Sequence, residues 1–256
     1  MSADPRAELR QMTRRSFGIG AAAALTGFVG WQALQRAEKE DRLAWPLRRV
    51  LQFNQWVGER IVGTAGLAPT FPAAAAETPR VNGGFGLEGE VDAASWRVRV
   101  EWPAGRRDVS LKEIQQLPRT ELVTELKCIE GWSCVVGWSG IRLLDFMTHF
   151  TVGDRTGRPP EPQQRPGDLL RFAYLETPDR KYYVGLDAAC AVHPQTLLCD
   201  RMNGEPLTPG HGAPLRLVTP VKYGIKSIKR IGLIRFQDER PTDYWAERGY
   251  DWFAGL

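Results

Sequence analysis

Apolar and polar positions follow two different periods along the chain, and each change of period marks a predicted element. Every second residue is apolar over residues 96–102, which predicts a β-strand. Residues 122–126 and 169–174 predict two more strands. After Gly140 the apolar positions take the spacing of a helix, over residues 141–147. Strands and short helices are therefore mixed in the second half of the chain.

Local signals predict caps and turns between these elements. Ser110 and Glu113 have the spacing of a capping box, which predicts that a helix begins there. Asn203-Gly204 is a strong signal for a tight hairpin. Residues 187–191 predict a short helix. The chain from about residue 80 onward is thus predicted to be a body rich in strands and turns.

The N-terminal third has a different organisation. Residues 38–61 have the pattern of an amphipathic helix, with Pro46 near its start or at a kink. Residues 63–79 are rich in Gly, Ala, Pro and Thr, which predicts an extended linker. The predicted organisation is a leader (1–35), a helix with its linker (36–79) and a folded domain (80–256).

The leader combines a twin arginine with an uncharged run. Arg14 and Arg15 precede residues 16–35, which carry no charged side chain. This arrangement is typical of a signal for the twin-arginine export machinery. About 20 apolar residues also span a bilayer, so an uncleaved membrane anchor is an equal alternative. A core helix that happens to follow two Arg is the third interpretation.

The net charge of +4 belongs to the N-terminal region. Residues 1–60 contain ten Lys/Arg and six Asp/Glu, whereas the remaining 196 residues contain twenty-four of each. Proteins that bind nucleic acids usually present a basic surface. The neutral body therefore argues against a nucleic-acid partner.

The candidate chemistry centres on Cys128, which follows the strand predicted over residues 122–126. Trp132 and Trp138 flank this thiol, and Glu130 lies two residues beyond it. A thiolate is a ligand that soft metals prefer, but one thiol needs further donors to hold a metal. The alternative is an inert, buried Cys that packs as a small apolar side chain.

Other cysteine chemistry has less support. The chain has four Cys and no Cys-x-x-Cys, so the spacing does not favour a zinc ribbon, an iron–sulfur cluster or a thioredoxin-type pair. Disulfides among the other three Cys stay open for an exported protein. A nucleophile pair of Cys128 with His193 or His211 is a further alternative, which rests on residue types alone.

Two stretches resemble a known family. Residues 128–133 (Cys-Ile-Glu-Gly-Trp-Ser) and 135–140 (Val-Val-Gly-Trp-Ser-Gly) closely resemble the molybdenum-ligand segment of the sulfite oxidase superfamily. The nearest branch is that of the bacterial protein-methionine-sulfoxide reductase catalytic subunit. The resemblance covers about residues 67–245 and implies a β-rich α+β fold of the sulfite oxidase type. It also implies that Cys128 binds molybdenum and that a molybdopterin supplies the other sulfurs.

The resemblance implies a set of cofactor contacts. The pterin, the metal and the cofactor phosphate would be bound by Asn82, Phe85, Gly86, Cys128, Thr177, His211, Arg216, Ser227, Ile228 and Lys229. Two features depart from the reductase branch. The aromatic–acid pair of the family is not reproduced at Phe85-Gly86, and His211 follows the sulfite oxidase pattern where the reductases have Asn.

These positions also have ordinary structural interpretations. The glycine-rich residues 81–86 suit a plain turn as well as a close approach to a phosphate. Thr177 suits a hydroxyl at the end of a strand, and His211 suits a solvated loop residue. Residues 217–231, apolar and basic by turns, suit a strand pair with a solvated Lys face.

Glu130 and Tyr182 are the implied catalytic partners of Cys128. Apolar surroundings would keep Glu130 protonated, so that it could tune or protonate the metal oxo group. Tyr182 would position the substrate and move protons. The alternative for Tyr182 is a packing role.

The predicted function is oxygen-atom transfer by an exported, molybdopterin-dependent oxidoreductase. The segment after Cys128 lacks the Arg-rich stretch that binds an anion in sulfite oxidases, which favours reduction of a neutral small-molecule or peptidyl S-oxide. A membrane haem or quinone would exchange electrons with a periplasmic protein, with or without an anchor at residues 16–35. The alternatives are oxidation of a sulfur oxyanion and a metal-free binding protein of the same fold.

Overall fold

The computed structural model describes residues 5–40, 42–61, 66–89 and 91–256. The chain divides into two compact units, residues 1–53 and 54–256. In the first unit, helix α1 (Pro5–Arg36) precedes a short hairpin of β1 (Lys39–Glu40) and β2 (Leu43–Ala44). Helix α2 (Trp45–Ile61) begins in this unit and continues into the second.

Helix α1 contains one segment, Arg15–Arg36, that is long and apolar enough to cross a membrane by length and composition. Its apolar side chains are exposed, as those of an export signal or an anchor would be. The core-helix interpretation of the leader therefore has no support in this part of the structure.

The predicted amphipathic helix begins later than the sequence indicated. Lys39–Glu40 and Leu43–Ala44 are the paired strands β1 and β2, so α2 starts at Trp45 rather than at residue 38. Pro46 lies in the first turn of α2, where its missing N–H leaves no hydrogen bond unmade. The kink that was the other expectation for Pro46 is therefore wrong. Residues 63–65 of the predicted linker lie outside the described residues.

The second unit consists of two β-sheets and short α-helices. Its strands are β3 (Arg97–Trp102), β4 (Gly105–Ser110), β5 (Arg119–Lys127), β6 (Ser133–Arg142), β7 (Phe172–Glu176), β8 (Tyr183–Asp187), β9 (Leu197–Met202), β10 (Glu205–Pro206), β11 (Arg216–Val218) and β12 (Leu233–Gln237). Its α-helices are α3 (Leu111–Gln115), α4 (Leu143–Phe150) and α5 (Ala188–Ala191). The unit is an α+β domain rich in strands, as predicted.

The strands form two sheets with different connections. One sheet has the order β4-β3-β12-β7-β8, in which only the β3–β12 pair is parallel among the described strands. The other has the order β10-β9-β6-β5, and β11 pairs with β9 on the same side as β10. The chain thus leaves and re-enters each sheet through long irregular segments, and these segments build the site described below.

Local sequence signals predicted the structure correctly where one short motif decides the geometry. Ser110 accepts a hydrogen bond from the backbone N–H of Glu113, whose carboxylate accepts one from Ser110 N–H, so the capping box is confirmed. Asn203 and Gly204 both have positive φ between β9 and β10, which confirms the hairpin. Asp187 caps the short helix α5, as residues 187–191 predicted.

The first and last residues of helices and strands were predicted less accurately. Helix α4 begins at Leu143 rather than at residue 141, because β6 continues through Ile141 to pair with β9. The third predicted strand begins at Phe172 rather than at residue 169. Residues 217–231 do not form a strand pair: β11 ends at Val218, and irregular turns follow.

Successive side chains of a strand point to opposite faces of the sheet, and this divides the core into two clusters. The larger cluster joins both sheets to α3 and α4, and it includes Val100, Phe146 and Phe236. The smaller one lies on the other face of the second sheet around Trp138. In β9, Leu198 points to the first cluster while its neighbour Leu197 points to the second. Both sheets are therefore rigid frames for the loops at their ends.

Gly140 allows β6 and β9 to approach closely, and we predict that Gly140→Ala destabilises the protein. A Cβ at residue 140 would lie 2.1 Å from the carbonyl oxygen of Leu198, which is backbone and has little room to move. The expected loss is about 1–3 kcal/mol of unfolding free energy, as for other overpacked sites. Urea unfolding measures this loss. Gly167→Ala, where a new Cβ meets nothing within 4 Å, is the matched control. Equal midpoints for the two variants would contradict the prediction.

Candidate cofactor site

A cavity of about 290 Å³ lies in the second unit, where several irregular segments meet. It brings together most of the residues that the sequence singled out. These are Asn82, Phe85, Cys128, Glu130, Tyr182, His211, Arg216, Ser227 and Lys229. Residues that are more than 140 positions apart in the sequence therefore share one site.

Cys128 lies at the tip of the β5–β6 hairpin. β5 ends at Lys127, and the turn closes through hydrogen bonds from Cys128 N to Trp132 O at 2.8 Å and from Gly131 N to Cys128 O at 3.1 Å. Gly131 adopts a φ of 87°, which glycine tolerates far better than other residues. The thiol is half-buried and lines the cavity. The prediction of a thiol at a strand-to-turn junction is confirmed, and the inert, fully buried alternative is wrong.

The wall formed by Arg216 and Lys229 is positively charged. Arg216 is buried, stacks over Trp138 at 4.7 Å, and donates to the carbonyl oxygens of His211 and Ser227 at 3.1 and 3.2 Å. Burial lowers the pKa of the Arg216 guanidinium to about 10. The contacts that the structure describes for this side chain include no carboxylate.

Lys229 is the second cation of this wall. Its ammonium donates to the carbonyl oxygens of Asn82, Gly83 and Gly210. Burial, with a smaller contribution from Arg216, lowers the pKa of Lys229 to about 8. Two desolvated cations with carbonyl partners make a site that an anion would stabilise.

His211 joins this wall to the N-terminal side of the cavity. Its Nε2 donates to Pro79 O at 3.0 Å, and its Nδ1 is 2.8 Å from the hydroxyl of Thr208. Because a carbonyl oxygen only accepts, Nε2 carries the proton. The side chain is buried, so the solvated-loop interpretation of His211 is wrong.

Glu130 does not have the surroundings that the sequence led us to expect. Its side chain is 54% exposed and forms an ion pair with Arg80 at 3.0 Å. The same oxygen, Oε2, accepts hydrogen bonds from Trp132 Nε1 at 3.0 Å and Asn82 Nδ2 at 3.4 Å. The expectation of an apolar environment that keeps Glu130 protonated is therefore wrong. Here the carboxylate ties Arg80 and Asn82 to the hairpin that carries Cys128.

Asn82 contacts the thiol directly. Its Nδ2 lies 3.7 Å from Cys128 Sγ, within reach of a hydrogen bond to sulfur. Asn82 thus restrains the position of the Cys128 sulfur at the edge of the cavity.

Tyr182 faces the cavity from the turn before β8. Its hydroxyl donates to Ile225 O at 2.5 Å, and burial raises the pKa of Tyr182 well above its ordinary value. The hydroxyl therefore stays protonated at neutral pH. Tyr182 can orient a ligand, but burial outweighs the interaction with Trp245 that favours release of a proton.

Three predicted contacts lie outside the cavity lining in the described part of the chain. Thr177 is buried, donates to Asp179 Oδ1 at 2.7 Å and packs on Gly86, where an added Cβ would be only 2.2 Å from the Thr177 methyl. Ile228 is in the main core. The two lysines that precede it are also removed from the cavity, because Lys222 pairs with Asp187 and Lys226 with Asp243. The solvated Lys face is therefore wrong, and the roles of Gly86, Thr177 and Ile228 stay predictions.

Sequence reasoning missed part of the lining. Arg80, Trp245 and Tyr250 line the cavity and were not proposed as site residues. The sequence shows that the C-terminal tail is rich in aromatic residues. No local pattern indicates that Trp245 lines the same cavity as Cys128, which lies far earlier in the chain.

The fold and the site together define a class of protein: a strand-rich domain with one thiol and a cationic wall around a shared cavity. No cluster of three His, Cys, Asp or Glu side chains able to hold a metal occurs within the described residues. A metal at Cys128 would therefore need donors from a cofactor, and the cations suit an anionic one. Residues 85–245 match the family described as "Oxidoreductase molybdopterin binding domain", so the chain belongs to this family, whose cofactor is molybdopterin.

Several proteins with assigned names are similar to the chain. The putative protein-methionine-sulfoxide reductase subunit YedZ1 of Azospira oryzae is 30% identical over 96% of this chain and 87% of the relative. The protein-methionine-sulfoxide reductase catalytic subunits MsrP of Xanthomonas campestris and Campylobacter jejuni are 38% and 34% identical over 59% and 58% of the chain. The matched regions span about half of these two relatives, 47% and 52%.

A solved structure is also similar. It is the sulfane dehydrogenase SoxCD from Paracoccus pantotrophus, with a TM-score of 0.49 and 17% identity over 59% of this chain and 40% of that chain.

The low pKa of Lys229 predicts how stability depends on pH in protein without cofactor. Between about pH 8 and the ordinary Lys value of 10.5, the unfolded chain binds a proton at Lys229 that the folded chain does not. Stability therefore rises with pH across this window. Lys229→Met should make the rise smaller in urea unfolding measured at several pH values.

Lys181→Met is the matched control for this series. Lys181 is 48% exposed, and the hydrogen bond from its ammonium to Glu88 raises its pKa, so its removal should leave the rise in place. Identical pH profiles for wild type and Lys229→Met would show that the Lys229 ammonium does not cause the rise in stability with pH.

Proposed function

We propose that this chain is an exported reductase of S-oxides that uses molybdenum bound to molybdopterin, with Cys128 as the protein ligand of the metal. The observation that carries the proposal is the pairing of Arg80 with Glu130 at the thiol side of the cavity. It pairs the cation of Arg80 with a carboxylate on the hairpin that carries Cys128, so this side does not favour an anion such as sulfite. The names of the similar reductases support the same substrate class.

The two sides of the cavity have different chemistry. Arg216 and Lys229 form the charged wall, which suits the cofactor phosphate. The thiol side is lined by Trp132, Phe85 and Tyr182, whose rings suit the apolar groups attached to a sulfoxide sulfur. A neutral S-oxide therefore fits between a charged cofactor site and an aromatic mouth.

The reaction converts a sulfoxide, two electrons and two protons into a thioether and water. When bound, the cofactor would supply the oxygen-accepting metal and the two-electron change. Asn82 would hold the Cys128 sulfur in place through the 3.7 Å contact. Tyr182, whose hydroxyl hydrogen is donated to Ile225 O, would orient the substrate through packing of its ring. We expect the protons to come from water at the exposed mouth, beside Glu130.

We further propose that the protein works in the periplasm and receives electrons from a membrane haem or quinone protein. The twin arginine at Arg14 and Arg15 and the apolar segment Arg15–Arg36 support export. A protein that binds its cofactor in the cytoplasm must be exported in the folded state. The buried position of Arg216 supports cofactor binding before export, because folded segments of the chain would enclose the cofactor.

Cys128→Ser tests the metal ligand. A hydroxyl is a harder and weaker donor than a thiolate, so the variant should lose molybdenum and reduce methionine sulfoxide at least about 100-fold more slowly, since even outer-shell changes cost 10–100-fold. Elemental analysis and a reduced-dye assay measure both effects. Cys134→Ser is the matched control, because Cys134 is a half-buried thiol on the same hairpin, paired with Leu126 and outside the lining. Full metal content in Cys128→Ser would refute the assignment.

The choice of substrate is tested in the same preparation. Molybdenum-loaded wild type should reduce methionine sulfoxide and should oxidise sulfite at least tenfold more slowly, because the thiol side has no unpaired cation among its described contacts. Faster sulfite oxidation would support the sulfur-oxyanion alternative. Protein that folds and is exported but contains neither molybdenum nor pterin would support a binding protein.

Replacement of Arg14 and Arg15 by Lys tests the route of export. The twin-arginine machinery reads the guanidinium pair, so the variant should accumulate in the cytoplasm with its molybdenum still bound. Cell fractionation followed by metal analysis measures this. Arg6→Lys with Arg10→Lys, which keeps the same charge in the same leader, should leave export unchanged. Normal export of the first variant would exclude this signal.

A further inference from the structure

The C-terminal tail contributes an aromatic wall to the cavity. Trp245 and Tyr250 both line it, and their rings pack edge to face with centroids 5.1 Å apart. A hydrogen bond from Tyr250 N to Trp245 O at 3.0 Å closes the turn between them. Tyr250 follows the residues that match the family, which end at 245. We call these two residues the tail wall.

A buried carboxylate holds the start of the tail in place. Asp243 Oδ2 accepts hydrogen bonds from Lys226 Nζ at 2.6 Å and Gly185 N at 3.1 Å. Asp243 Oδ1 accepts from Trp245 N at 3.1 Å and Ala246 N at 3.2 Å. One side chain thus joins strand β8, the turn before Ser227 and the backbone of the tail wall.

Burying the Lys226–Asp243 ion pair costs free energy, so its presence indicates a role in the structure. The side chains of Lys226 and Asp243 are 1% and 2% exposed, and removing two charges from water costs several kcal/mol per ion unless geometry and further hydrogen bonds compensate. Here all four donors point at one carboxylate. Gly224 and Ile225, which directly precede Lys226, also line the cavity. The ion pair therefore ties the start of the tail to the turn that carries these two residues.

We propose that the tail wall recognises the alkyl groups of the S-oxide substrate and that Asp243 is the positioning residue of this wall. The inference rests on the proposed function and names the part of the substrate that is read. The rings present apolar faces, which favour carbon and thioether groups beyond the sulfoxide itself. A substrate the size of methionine sulfoxide would reach the tail wall, whereas dimethyl sulfoxide has too little carbon to gain from it.

The test compares two substrates in molybdenum-loaded enzyme. Trp245→Leu should raise the KM for N-acetyl-methionine sulfoxide about tenfold and leave the KM for dimethyl sulfoxide within twofold. Trp245→Phe, which keeps an aromatic ring, should restore most of the lost affinity.

Trp102→Leu is the matched control for this substitution. Trp102 lies at the end of β3, packs against the main core and does not line the cavity. Its replacement should lower the thermal midpoint without changing either KM. A loss of substrate discrimination in this control would assign the effect to general loosening of the fold and overturn the proposal.

The positioning role of Asp243 needs its own readout. Asp243→Asn should raise the KM for the larger substrate as Trp245→Leu does, and the double variant should show little further increase, because both changes act on one wall. Should Asp243→Asn fail to fold, Tyr250→Leu replaces it and must show the same selective rise in KM.

The outcomes separate this inference from the proposed function. A molybdenum-loaded wild type that reduces no S-oxide overturns both. Active wild type with an unchanged KM in Trp245→Leu and Tyr250→Leu overturns only the tail wall. An equal rise in KM for both substrates also overturns it, because the wall would then not distinguish substrates by their carbon groups.

Discussion

Uncompensated positive charge beside a thiol is the constraint on which the rest of the site depends. Arg216 and Lys229 are withdrawn from water, yet the oxygens that surround them in the described contacts belong to backbone carbonyls. Carbonyl dipoles satisfy the hydrogen bonds but supply only part of a negative charge. An anionic group is the missing partner, and a cofactor phosphate has the charge and oxygens that such donors bind. The lowered pKa values of both residues reflect the same imbalance.

The two sheets hold this charge in position through segments that have little regular structure themselves. The strap, residues 77–89, crosses the cavity, and its backbone is fixed by side chains from distant turns. His211 donates to Pro79 O, Lys229 to Asn82 O and Gly83 O, and Arg230 to Glu88 O and Gly89 O at 3.1 Å. With the backbone held in this way, the side chains of Arg80 and Asn82 reach Glu130 and Cys128 on the β5–β6 hairpin. Functional loops on a rigid frame are a general solution for binding sites.

The sequence predicted those parts of the site that depend on local pattern. Cys128 was placed at the end of a strand because alternation in β5 stops there, and the resemblance of the segment that follows indicated the cofactor. The environment of Glu130 could not be predicted, because Arg80 arrives from the strap and no local signal indicates it. The position of Trp245 was missed for the same reason, since the anchor at Asp243 depends on a pairing with Lys226 across the fold. Side chains that depend on a distant partner are the ones that sequence reasoning misplaced.

Three lysines in one short segment show how partners decide function. Lys222 lies 3.1 Å from Asp187, and Lys226 lies 2.6 Å from Asp243, so each has a carboxylate and serves the fold. Lys229 has carbonyl partners instead and lines the cavity. In the sequence the three are alike, each directly after a β-branched apolar residue in a basic stretch. The fold brings acids to two of them, whereas the described contacts of the third are carbonyl oxygens, which suits the anion that we propose the cavity holds. The distribution of carboxylates, more than that of cations, therefore supports the proposed position of the cofactor phosphate beside Lys229.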